Sequence, residues 1–156
     1  MNRQGWRVTP LNRKDLSQVA AVEQTLADPW SDHGLEAELA QPAGWQFGVR
    51  PVDGEAILAY VFGRTVADEA EILRLAVLPA ARRQGVGGFL LRYLLDLLGR
   101  QGRRVCHLEV RADNRWALRL YEKMGFLVTG RRRGYYEVPP ADAVLMAKEL
   151  KKGEQA

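Results

Sequence analysis

Arg82-Arg83-Gln84-Gly85-Val86-Gly87-Gly88 joins a hydrophobic run to the start of an apolar-periodic helix. Residues this small let several backbone N–H groups converge on one anion. The following helix N-terminus adds a partial positive charge, and the two arginines add full ones. That is the chemistry of a pyrophosphate-binding turn. Spacing separates the possible designs. A P-loop needs Gly-Lys followed by Ser or Thr, and neither Lys nor a hydroxyl residue follows Gly87. A dinucleotide fingerprint would need its third glycine where Leu90 stands, and seven residues, 78–84, separate Val77 from Gly85, a gap that suits a wider turn. Taken alone, the turn could also be a glycine-rich helix connector.

Glu109 lies near the carboxyl end of the next hydrophobic run and Tyr121 lies on the helix after it, where open α/β sheets gather ligand-binding groups. His107 is two residues from Glu109 and shares its strand face; the reading favours a hydrogen-bonded packing role over a second base. Cys106 falls on the opposite face and reads as a small buried apolar residue. With two His, one Cys and no HExxH or paired CxxC, no metal site is expected, and no nucleophile-elbow pentapeptide supports a Ser-His-Asp hydrolase.

The elements that must position these groups follow from periodicity. Trp6 to Thr9 alternates like a strand, and Leu16, Val19, Val22 or Glu23, and Leu26 recur at helical spacing until Pro29. Ser31 can cap a second helix through Ala40. Strands are predicted at Trp45 to Arg50, Glu55 to Thr65 and Glu71 to Val77, the first two joined by an Asp53-Gly54 turn. Val86, Phe89, Leu90, Tyr93, Leu94, Leu97 and Leu98 form the stripe of a sheet-packed helix closed by Gly99 and Gly102. Val105 to Val110 then makes a strand parallel to the one before the turn. Asp113 or Asn114 caps a helix ending at Gly125, and Phe126 to Gly130 with Ala143 to Glu149 completes an antiparallel end.

At 156 residues the chain is read as one domain over 1–150, with a loose tail at 151–156. Its 47% hydrophobic and 27% charged residues are near globular averages, no apolar run is long enough to span a membrane, and Met1 to Trp6 lacks a signal-peptide core. A cytoplasmic protein without membrane association is expected. A net charge of +4 is too mild to imply direct nucleic-acid binding, although basic residues gather at Arg82–Arg83, Arg100 to Arg104 and Arg131 to Arg133.

Leu108-Glu109-Val110-Arg111-Ala112-Asp113-Asn114 followed by Leu120-Tyr121-Glu122-Lys123-Met124-Gly125-Phe126 resembles the GNAT acetyltransferases. With Pro29-Trp30-Ser31, Leu75-Ala76-Val77, Arg82 to Gly88 and Arg132-Arg133-Gly134-Tyr135-Tyr136, the chain is similar to their ribosomal-protein alanine N-acetyltransferase branch from about Pro29 to Met146. The resemblance implies an α/β GNAT fold, a mixed central sheet of about seven strands flanked by about four helices. It implies acetyl-CoA as co-substrate, without a metal, and transfer to the α-amino group of a protein N-terminus, such as a ribosomal protein beginning with alanine.

Under that resemblance each residue has a task. An α-amino group with a pKa of about 8 must lose its proton before attacking, and Glu109 is the candidate base, directly or through water. Tyr121 matches the family's proton donor to the departing sulfur. The backbone N–H around Val77 would meet the thioester oxygen, and Leu75, Ala76 and Val77 would pair with the pantetheine amides. Arg82, Arg83, Gln84, Gly85, Val86, Gly87 and Gly88 would hold the pyrophosphate, and Asn114 matches a cofactor-contacting position. Trp30, Tyr135 and Tyr136 resemble parts that border the peptide.

Plainer readings stay open: an N-cap for Asn114, core packing for Tyr121, ordinary packing for the three aromatics and a solvated strand end for Glu109. The short, proline-bearing Glu137-Val138-Pro139-Pro140-Ala141-Asp142 departs from the Gly-Arg-Glu run associated with close relatives, which leaves peptide preference open. Rival functions are a lysine or small-amine acetyltransferase, a non-catalytic CoA-sensing or ribosome-binding module using Arg131 to Arg133, and, more distantly, a nicotinamide-binding protein.

Overall fold

The computed structural model describes residues 5–151, so the expected tail lies, beyond Lys151, outside the described residues. The alternating N-terminal run forms β1 (Trp6–Pro10). Asn12 and Asp15 then cap each other's backbone, Lys14 N–H donating to Asn12 Oδ1 and Asn12 N–H to Asp15 Oδ2, both at 2.9 Å, which launches α1 (Leu16–Glu23). This helix ends at Glu23, short of the Leu26 expected from its stripe. α2 (Asp32–Leu39) starts as expected at Ser31, whose Oγ accepts from Gly34 N–H at 3.0 Å.

β2 (Gly44–Pro51) and β3 (Ala59–Val66) pair antiparallel from Gly44↔Arg64 to Val49↔Ala59. β3 begins later than the sequence suggests because side chains claim the backbone before it. Gln18 exchanges hydrogen bonds with Ile57 N–H (2.8 Å) and Glu55 C=O (3.2 Å), and Arg50 donates to Glu55 C=O (2.5 Å). β4 (Glu69–Val77), α3 (Val86–Arg100), β5 (Val105–Arg111), α4 (Arg115–Lys123), β6 (Leu127–Glu137) and β7 (Pro140–Glu149) complete the order. Seven strands form one mixed sheet in the order β1-β2-β3-β4-β5-β7-β6. Its parallel ladder, β4 with β5, runs from Glu69↔Val105 to Ile72↔Leu108, as the strand–turn–helix–strand pattern requires. Seven strands and four α-helices match the expected architecture.

The chain divides into two compact units, Met1–Arg64 with Arg74–Leu90 and Thr65–Leu73 with Leu91–Ala156. In the first, Val19, Val22, Leu35, Leu39, Tyr60 and Phe62 are at most 5% exposed and form a core against which Leu16, Trp30 and Leu78 pack. At about 1.5–3 kcal/mol per buried large apolar side chain, such a core fixes α1 and α2 firmly. In the second, β5 alternates. Cys106, Leu108 and Val110 are buried, whereas His107 and Glu109 occupy the other, more open face.

The largest departure from the sequence reading is β6, which continues past Gly130 to Glu137. Its charged second half has no hydrophobic alternation, yet β7 supplies partners at Arg131↔Val144, Arg132↔Ala143 and Tyr136↔Ala141. The Asp142 carboxylate pins it from the opposite strand, accepting from Gly134 N–H at 2.8 Å and Arg131 Nε at 2.9 Å. Those two donors, the Gly134 amide first, hold the Asp142 carboxyl below its ordinary pKa.

Candidate functional site

The turn after β4 is shaped for an anion by its backbone. Pro79–Ala81 makes one 3₁₀ turn, Arg83 sits at φ +65° and Gly85 at φ +86°, and α3 begins at Val86. A non-glycine residue in the left-handed region costs roughly 1–2 kcal/mol, so Arg83 is held there by its surroundings. Phe89 N–H closes onto Gly85 C=O at 3.0 Å, which makes Gly85 the helix boundary. A turn of small residues running into a helix N-terminus is a chemically suitable place for a pyrophosphate. Arg82 and Gln84 serve the turn itself: Arg82 Nε donates to Val77 C=O at 3.2 Å and Gln84 Nε2 to Ala80 C=O at 3.1 Å. Leu75 is half-buried, while Ala76 and Val77 are buried.

Trp30 lies in the same unit, on the connection between α1 and α2. Its N–H donates to Glu23 Oε1 at 2.8 Å, its ring tilts against Phe62 at 5.9 Å, and the Arg74 guanidinium lies 5.6 Å from its centroid. Glu23 is fully buried and also accepts from Tyr60 O–H at 2.5 Å and from Arg74 at 2.8 and 3.0 Å. Burial, then the Glu23 hydrogen bond, pushes the Tyr60 hydroxyl far above its ordinary value, so it stays a donor. Burial works against the charge on Arg74, but Glu23 outweighs it and keeps the guanidinium above its usual pKa.

In the other unit, the Glu109 carboxylate is 26% exposed, and Arg132 Nε donates to its Oε2 at 3.1 Å. The register explains the meeting. Glu109 pairs with Leu145 and Arg132 with Ala143, so the arginine reaches across β7 from the far strand. The same guanidinium lies 5.5 Å from the Tyr135 ring, which meets Tyr136 edge-on at 5.1 Å. Arg111 holds the Tyr136 side, 4.9 Å from its centroid, while donating to Asp113 and to Pro139 C=O. The structure therefore joins Glu109, through the Arg132 guanidinium, to Tyr135.

Asn114 does cap α4, accepting from Ala117 N–H at 3.1 Å, and Tyr121 is buried with its ring edge-on to Phe126 at 5.5 Å. Both plainer roles are thus real. His107 Nε2 is 2.9 Å from Glu69 Oε1 on a half-exposed surface, so the expected hydrogen bond is present but packing contributes little. Burial, then the Glu71 charge, pushes the Cys106 thiol up to about 12, which keeps it neutral and inert. An open groove of about 680 Å³ beside α4 and β6, lined by Leu118, Arg119, Val128 and Val144, includes no residue of the expected site. Among the described residues no group of His, Cys, Asp or Glu is placed to hold a metal, and no helix is long and apolar enough to cross a membrane.

The sequence reading missed three residues that organise this site. Arg132 was visible in a basic run and in the segment that carries the family resemblance, but with no role of its own, Arg74 only as a member of the predicted strand Glu71 to Val77, and Glu23 only as an ambiguous member of the α1 stripe. A carboxylate on an inward helical position was the one available signal.

The chain belongs to the Acetyltransferase (GNAT) family, whose pattern matches residues 14–126. It is 40% identical over 146 residues to the N-alpha-acetyltransferase RimI of Mycobacterium tuberculosis, covering 89% of each chain. It is 35% identical over 144 residues to the [ribosomal protein bS18]-alanine N-acetyltransferase of Escherichia coli, covering 90% of this chain and 95% of that one. The crystal structure of the Escherichia coli ribosomal-protein-S18-alanine N-acetyltransferase has a TM-score of 0.85 at 32% identity, over 97% and 98% of the two chains. The protein is an acetyltransferase, which removes the non-catalytic reading.

Proposed function

We propose that this enzyme transfers acetyl from acetyl-CoA to the free α-amino group of a protein N-terminus, and that its substrate is a ribosomal protein beginning with alanine, met in the cytoplasm. Residues 1–150 are proposed to act as one catalytic domain. The observation that carries this reading is the carboxylate of Glu109 held by Arg132 beside Tyr135 and Tyr136. An acid next to an aromatic wall suits an extended chain end that must shed a proton. The Escherichia coli relative named above, a [ribosomal protein bS18]-alanine N-acetyltransferase, supports the substrate class.

Acetyl-CoA supplies a thioester carbon, and the turn of residues 83–88 would hold its pyrophosphate, with Leu75, Ala76 and Val77 meeting its pantetheine arm. The peptide amine arrives mostly protonated at neutral pH. Glu109 takes that proton, directly or through water, and the freed lone pair forms the C–N bond. The Val77 N–H stabilises the oxygen as it becomes negative. The C–S bond then breaks, Tyr121 gives the sulfur a proton, and the nitrogen sheds its surplus proton to water, which returns one to Tyr121. Asn114 would contribute a contact to acetyl-CoA from the start of α4. Trp30, Tyr135 and Tyr136 border the peptide, and no metal takes part in these steps.

The test is to mix the purified chain with acetyl-CoA and peptides beginning Ala-Arg, their N-terminally blocked versions and lysine-bearing controls, and to measure free CoA and the site of acetylation. Acetyl confined to free α-amines is expected. Acetyl on lysine side chains, or turnover only with small amines, would overturn the reading.

A further inference from the structure

Glu23 uses all of its carboxylate. Oε1 accepts from Trp30 N–H and Arg74 Nη2, both at 2.8 Å, while Oε2 accepts from Tyr60 O–H at 2.5 Å and Arg74 Nε at 3.0 Å. Arg74 extends the knot, donating to Asp28 C=O at 2.9 Å and lying over the Trp30 ring. The connection between α1 and α2 is therefore tied at Asp28 and at both the backbone and the ring of Trp30. Burying an ion pair brings little net stability, because desolvation offsets the attraction and an apolar substitute of equal volume often does as well. What such a pair supplies is a fixed position. Arg74 also directly precedes Leu75 on β4, so the strand proposed to meet the pantetheine arm carries the group that fixes Trp30.

We propose that Glu23 and Arg74 are positioning residues for the peptide: by holding Trp30 against β4 they set how tightly the enzyme engages the substrate's N-terminal residues. The inference rests on the N-terminal acetyltransferase reading and on Trp30 as part of the peptide wall. Neither residue takes a proton or touches the acetyl group. Their effect should fall on peptide engagement and leave the acetyl-CoA cradle of residues 83–88 alone.

The test uses the full chain carrying Glu23→Gln or Arg74→Lys. Gln keeps the acceptor to Trp30 N–H but removes the charge, and Lys keeps the charge but cannot bridge Glu23 and Asp28 as a fork. Expected are a rise of about tenfold or more in KM for the Ala-Arg peptide, the size of losing one charged hydrogen bond, with KM for acetyl-CoA within about twofold. Amide exchange of residues 25–31 should quicken in both variants while the melting transition stays cooperative. If Glu23→Gln does not fold, Arg74→Lys, which leaves no bare charge, decides. Acetyl-CoA and peptide KM rising together would overturn the inference, as would unchanged exchange at residues 25–31, or quickened exchange with an unchanged peptide KM. A wild-type chain that acetylates no α-amine overturns the N-terminal reading and this inference with it. One that does so, with variants of unchanged peptide KM, overturns this inference alone.

Discussion

Two Glu–Arg pairs, built from the same residue types, differ in almost everything that gives a charge its meaning. Glu23 and Arg74 meet at 2.8 Å with side-chain exposures of 0% and 15%; Glu109 and Arg132 meet at 3.1 Å with 26% and 53%. The first pair has no water to replace a lost partner, so each member depends on the other. The second can exchange its partner for solvent or for an incoming amine at little cost. Burial converts one pair into a fixture and leaves the other able to act.

That contrast can be broken at several points. Glu109→Gln should lower kcat/KM by about 10²–10⁴-fold, the worth of a positioned proton acceptor, while leaving urea-denaturation stability nearly unchanged. A stability loss that accounts for the activity loss would erase the distinction. Glu23→Ala should behave in the opposite way, costing about 3–5 kcal/mol of stability by stranding the Arg74 guanidinium in the core. A midpoint shift worth less than 1 kcal/mol would mean that water reaches the knot. Arg132→Ala should cost only about 0–1 kcal/mol by the same denaturation measurement, and a loss as large as that of Glu23→Ala would show that the exposed pair is a fixture too.

The smallest effect concerns pH. Because Asp142 is held below its ordinary pKa, its contribution to folding is complete above about pH 4 and is lost as the pH falls through its folded value. An NMR titration should show the Gly134 amide losing its bonded shift together with Asp142 protonation, on the acid side of the ordinary aspartate range. Loss of that shift near pH 6 would point to another group.

Local signals in the chain were read well where local physics decides. Ser31 and Asn114 cap the helices they precede, Val86, Leu90, Leu94 and Leu98 of the predicted stripe are buried on α3 although Tyr93 is exposed and Leu91 and Leu95 are buried instead, and the strand–turn–helix–strand pattern yields a parallel β4–β5 pair. Candidate base, aromatic wall and anion turn were also named from the sequence. The connections between them were not. Arg132 stands 23 residues from Glu109 and Arg74 stands 51 from Glu23, and no local pattern encodes a pairing of that span. The second half of β6 was missed for a related reason. Arg131-Arg132-Arg133 has no apolar alternation, and only its register against β7 makes it a strand.

β6 also closes one side of the sheet, leaving an 11-residue edge whose outer backbone groups could recruit a strand from any neighbouring chain. Register breaks between Val128 and Gly130 and between Arg132 and Tyr136 distort that edge, and three successive arginines place like charge against like if two copies approach. The run that the sequence offered to a ribosome-binding module is thus also the kind of charged edge that disfavours strand pairing between two copies.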